Sequence, residues 1–110
     1  MTDTPSGATQ VAVPSGQFGA RIARGAAYLD ERAPGWRQRI NLGRLNLSEC
    51  TRCVLGQLAG GHEAIWEYIL RSFGIDEFDN ADYDMGFNCH DEELFADLTD
   101  EWVQYIEATR

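Results

Sequence analysis

The chain contains no lysine; all nine of its basic residues are arginine. It also lacks any apolar run near the roughly 20 residues needed to span a bilayer. The first sixteen residues hold no Lys or Arg and no apolar stretch of the kind a secretory signal uses. Three cysteines are too few, and odd in number, for a closed disulfide framework. These absences lead us to expect free thiols in a reducing, cytoplasmic setting. An all-arginine basic set also agrees with a GC-rich genome.

Recognised catalytic signatures are missing as well. There is no G-x-S-x-G, no Walker loop and no dinucleotide fingerprint. The two histidines, His62 and His90, each fall at an expected helix start, where capping or exposure explains them as well as base catalysis would. Acids are abundant, but abundance is not a paired acid–base site. We expect no enzyme, no catalytic residue and no cofactor.

What is present is a chain of 110 residues with 44% apolar and 11% aromatic content and a net charge of -9. That is one domain, long enough to bury a core of its own. The charge is unevenly spread. Residues 1–74 carry eight arginines against six acids, whereas 75–110 carry Arg110 against twelve. Such a balance argues against direct nucleic-acid binding. It is compatible with a solvated face, or with imitation of a nucleic acid.

The apolar pattern is helical. Phe18, Ile22, Ala26 and Leu29 step by four, four and three, and Pro34-Gly35 should stop that helix. Gly25 in its middle costs about 1 kcal/mol relative to alanine unless another backbone approaches there. Trp36, Ile40, Leu42 and Leu45 should plug the core from a turn or short helix. A further helix is expected from Asn46 as N-cap, with Glu49 completing a capping box, to Gly60-Gly61. Its stripe would be Leu47, Cys50, Val54 and Leu58, leaving Cys53 on the flank. Another runs from His62 to Gly74, with Ile65, Ile69 and Phe73 on one face. Residues 75–88 read as an acidic loop. The last helix, capped by Asn88, carries Leu94, Phe95, Leu98, Trp102, Tyr105 and Ile106. The expectation is all-α: a compact bundle of three to four main helices plus one short one over 17–110, preceded by a flexible arm at 1–16. Leu29, Trp36, Leu45, Cys50, Val54, Leu58, Ile65, Ile69, Leu98 and Trp102 should be mostly buried.

Two constellations invite function. Cys50-x2-Cys53 has finger-like spacing, and Cys50, Cys53, His62, Cys89 and His90 are the candidate zinc ligands. Yet Cys89 and His90 are adjacent, so their side chains diverge, and the first pair sits in an apolar helical stripe. A redox pair would want a preceding strand, and no strand is expected. The plainer reading makes Cys50 a small buried hydrophobe, with no metal. Calcium at "DNADYDMGFNCHDE" fails on register: with Gly86 in sixth place, positions one, three and five are Ala81, Tyr83 and Met85. The second constellation is Arg32, Arg37, Arg39 and Arg44 around Trp36. It suits an interaction face for an acidic partner, or an internal partner for the acidic half.

The segment "AAYLDERAPGWRQRINLGRLNLSECTRCVLGQL" at 26–58 resembles a family of small proteins from actinobacteria and their phages. The resemblance rests on Leu29-Asp30-Glu31-Arg32, Pro34-Gly35-Trp36, Ile40, Leu45 and Cys50-x2-Cys53-Val54-Leu55-Gly56-Gln57-Leu58. Gly86-Phe87 and Leu98-Thr99-x2-Trp102 extend it to about three-quarters of the chain. Cys89-His90 lies outside the pattern. The family has no assigned activity, so no site residue carries over. What the resemblance implies is a setting: a phage or prophage accessory protein in the host cytosol, binding a host protein. Self-association is left open. The alternatives are a structural zinc or thiol module on Cys50 and Cys53, and an acidic nucleic-acid mimic that blocks a DNA-binding protein.

Overall fold

The computed structural model describes residues 16–60, 66–76, 80–89 and 91–110. The expected arm at 1–16 lies outside them apart from Gly16, as do His62, Ile65 and His90. Among the described residues six α-helices form: α1 Gly19–Arg32, α2 Trp36–Arg39, α3 Val54–Leu58, α4 Trp66–Ser72, α5 Ala81–Asp84 and α6 Phe95–Thr109. A 3-10 turn, Glu92–Leu94, leads into α6. Among the described residues there is no strand, so the fold is all-α. None of these helices is long and apolar enough to cross a membrane.

α1 buries the stripe its spacing predicts: Phe18, Ile22, Ala26 and Leu29 are at most 2% exposed. Its first turn is tied from outside, the Phe18 N–H donating to the Glu101 carboxylate at 3.0 Å. Its end is Ala33, whose N–H reaches Leu29 O, followed by Pro34 and a left-handed Gly35. Gly25 meets the close approach that would justify it. A Cβ there would lie 2.1 Å from the Met85 carbonyl oxygen, so only glycine lets the 85–87 backbone lie against α1.

That approach places Trp102 at the centre of the molecule. Its ring stacks on Phe87 at 5.6 Å and meets Trp36 edge-on at 6.0 Å. Its indole N–H donates to the Gly86 carbonyl at 2.6 Å. A buried indole that has found its acceptor adds orientation to the apolar area it contributes. Leu98 and Ile106 continue the buried face of α6 beside it.

Three sequence expectations need correction. First, no helix starts at Asn46. The Asn46 carboxamide oxygen accepts from the Ser48 N–H at 3.0 Å, a local turn, and α3 begins only after Cys53. The reason is Gly56: a Cβ there would fall 1.8 Å from Cys50 O, so 50–51 folds back across α3 instead of extending it. The burial of the two cysteines is therefore exchanged, Cys53 being 1% exposed and Cys50 half-buried.

Second, the acidic loop contains α5, one turn opened by a left-handed Asn80 and closed by Gly86. Four residues are too few to show a period. Third, Asn88 does not cap α6. Its amide donates to the Asp82 carboxylate at 3.1 Å, and Asp91 instead accepts from the Glu93 N–H at 2.9 Å. The remaining members of the expected core, Leu29, Trp36, Leu45, Val54, Leu58, Ile69, Leu98 and Trp102, are buried.

Candidate functional site

The arginine constellation does not form one surface. Trp36 is fully buried, and its indole N–H donates to Asp30 at 2.9 Å. Arg37 lies over that ring at 4.7 Å, pairs with Asp30, and donates to Thr109 Oγ1 at 2.8 Å and the Tyr105 hydroxyl at 3.3 Å. Burial works against its charge. The hydrogen bonds to Asp30 and Tyr105 outweigh burial and hold its pKa above the ordinary arginine value. Trp36 and Arg37 are thus a latch joining α1, α2 and α6.

Arg39 donates to Leu58 O at 3.0 Å and covers the end of α3. Arg32 lies over the Tyr28 ring at 5.0 Å. Arg44 is exposed. Of the five residues, then, Arg32, Arg39 and Arg44 face solvent, Arg37 is half-buried and Trp36 is hidden.

The thiols are placed by α3. Cys53 is its N-cap: the sulfur accepts from the Gly56 N–H at 3.3 Å and donates to Cys50 O at 3.4 Å. Burial pushes this thiol up to about 11. Cys89 is also buried, its sulfur donating to Asp91 O, and burial raises its pKa. Among the described residues no disulfide joins the three cysteines. Among the described residues, no three His, Cys, Asp or Glu side chains converge as a metal site requires. The candidates His62 and His90 fall outside them.

The acids gather where sequence period alone could place them. Asp97, Asp100 and Glu107 share the exposed side of α6, with the neutral Gln104 between the last two. Asp91, Glu92 and Glu93, also exposed, precede it. Among the described residues the ion pairs are Arg37–Asp30 and Arg52–Glu49, so arginine neutralises none of these acids.

Beside them lies a depression of about 170 Å³ that the sequence did not disclose. Leu47, Cys50, Trp66, Phe87 and Phe95 form its walls, and Ser48 and Asn88 add polar groups. The lining comes from four separate segments, so no local motif marks it. Leu47 is held in place by its N–H, which donates to Thr99 Oγ1 at 2.9 Å. Trp66 and Phe95 are half-buried.

Comparison with family models, with curated proteins and with solved structures finds no match to this chain.

Proposed function

We propose that this chain is a small non-enzymatic accessory protein of phage or prophage type that acts in the host cytosol by binding a host protein. The observation that carries the reading is the set of exposed carboxylates along α6 and its lead-in, none of which pairs with an arginine among the described residues. Like charges held in a row raise a local field that attracts a basic surface and speeds encounter with it. Of the arginine group, Arg37 and Arg39 serve internal bonds, while Arg32 and Arg44 are exposed without forming one surface with Trp36. The partner surface is therefore basic.

The same row favours a second reading, mimicry of a nucleic acid on a DNA-binding host protein. Two experiments separate them. Crosslinking in an actinobacterial host, followed by mass spectrometry, should capture one basic protein with the wild-type chain. Capture should fall at least fivefold with the triple variant Asp97→Asn, Asp100→Asn, Glu107→Gln. Equal capture by both chains, or catalytic turnover by the purified protein, would defeat the proposal. Displacement of DNA from the captured protein selects mimicry; undisturbed DNA binding selects a separate docking surface.

A further inference from the structure

The depression between Trp66 and Phe95 lies next to charge, and the two features together describe a ligand. We infer that this pocket takes one phenyl or phenol ring from a partner segment whose neighbouring residues are arginine or lysine. The inference rests on the protein-binding reading above and names the contact.

An apolar cavity of roughly 150 Å³ accommodates benzene. At about 170 Å³ this depression, open to solvent on one side, has room for a single ring. It is too small for a drug-sized cofactor, whose pockets run to roughly 300–1,000 Å³. The lining suits an aromatic guest: Trp66, Phe87 and Phe95 contribute aromatic side chains, Leu47 an aliphatic one, and Ser48 and Asn88 polar groups for a phenol hydroxyl. Aromatic anchors seated in small desolvated pockets supply most of the energy of many interfaces.

The charge then fixes what surrounds the anchor. Asn88 and Phe95 both line the pocket, and between them in the chain stand Asp91, Glu92 and Glu93, all exposed. Any segment seated there lies beside three carboxylates that no arginine of the described chain neutralises. A basic flank is attracted and an acidic one repelled. Cys50 in the wall supplies a reporter. Its thiol is half-buried, whereas Cys53 and Cys89 are buried.

The test uses the full chain and an acetylated Arg-Lys-Phe-Lys-Arg pentapeptide amide, followed by NMR and by the rate of Cys50 alkylation. Saturable shifts at the Trp66 indole and the Asn88 side-chain amide, with Cys50 alkylation slowed at least threefold, are expected. The peptide with Ala in place of Phe should bind at least fivefold more weakly. The double variant Glu92→Gln, Glu93→Gln should bind the original at least threefold more weakly. Ser48→Trp, a substitution at an exposed rim position, should fill the pocket and abolish the pocket shifts while circular dichroism stays helical.

No shift at Trp66 or Asn88, or undiminished binding by Ser48→Trp, overturns the inference. Shifts confined to Asp97, Asp100 and Glu107 overturn it too, yet leave the acidic-face reading standing. The same pocket shifts appearing on concentration of the protein alone would assign the pocket to a second copy and likewise remove the inference.

Discussion

Cys53 does two jobs with one atom. Its sulfur takes the place of the oxygen that usually caps a helix, and its burial keeps it protonated far above neutrality, with a pKa of about 11. A folded-state value above the unfolded one means that the native state holds its proton longer. The resulting stability is complete below about pH 9 and is lost as pH rises towards 11. Over that window the wild type should lose about 2–3 kcal/mol relative to Cys53→Ser, read as urea midpoints of the pair at pH 8 to 11. A difference that stays constant over that range would refute the assignment. At pH 7 the cap itself is measurable. Cys53→Ala removes it and should cost about 1–2 kcal/mol. Cys53→Ser keeps an acceptor for the Gly56 N–H and should cost less.

At the scale of elements, glycines decide where short helices stop and how closely they pack. α4 and α5 end alike. Ile75 N–H reaches Leu70 O and Phe87 N–H reaches Asp82 O, each across a left-handed glycine, Gly74 and Gly86. These are the paired bonds of a Schellman ending, and the following residue is buried in both cases. Inside helices the role reverses. By propensity alone Gly25→Ala and Gly56→Ala should each stabilise by about 1 kcal/mol. The tertiary contacts, at 2.1 Å and 1.8 Å from a built Cβ, should overturn that and leave each variant less stable by about 1–3 kcal/mol. Gly43→Ala, whose nearest neighbour is 3.4 Å away, is the control and should be close to neutral in the same thermal melts.

For the molecule as a whole, one indole and one imbalance of charge dominate. Trp102 touches Trp36, Phe87 and Tyr105, residues spread over most of the chain. Trp102→Phe preserves an aromatic but strands the Gly86 carbonyl, and about 2–4 kcal/mol of chemical-denaturation stability should go with it. The net charge of -9 acts everywhere at once. Repulsion among unneutralised acids weakens as salt screens it, so raising sodium chloride from 10 to 300 mM (about 30 to about 6 Å of Debye length) should raise the melting temperature. The rise should be smaller in the Asp97→Asn, Asp100→Asn, Glu107→Gln variant, which has less repulsion to relieve.

The long elements are legible in the residue pattern. Apolar side chains recurring with the helical period mark α1 and α6, Pro34-Gly35 marks an end, and Gly25 marks a close approach, because each is a local consequence of backbone sterics and side-chain spacing. The acidic side of α6 follows from the same period read on its opposite face. Tertiary structure alone decided the rest. Asn46 and Asn88 look like helix caps, but in the fold Cys53 caps α3 and Asp91 caps the 3-10 turn that leads into α6. Trp36 and Arg37 have the composition of an interface, and only the fold shows that α6 already occupies them. The pocket joins segments distant in sequence. Its walls include Leu47, Trp66, Phe87 and Phe95, and no pattern within one segment encodes their meeting.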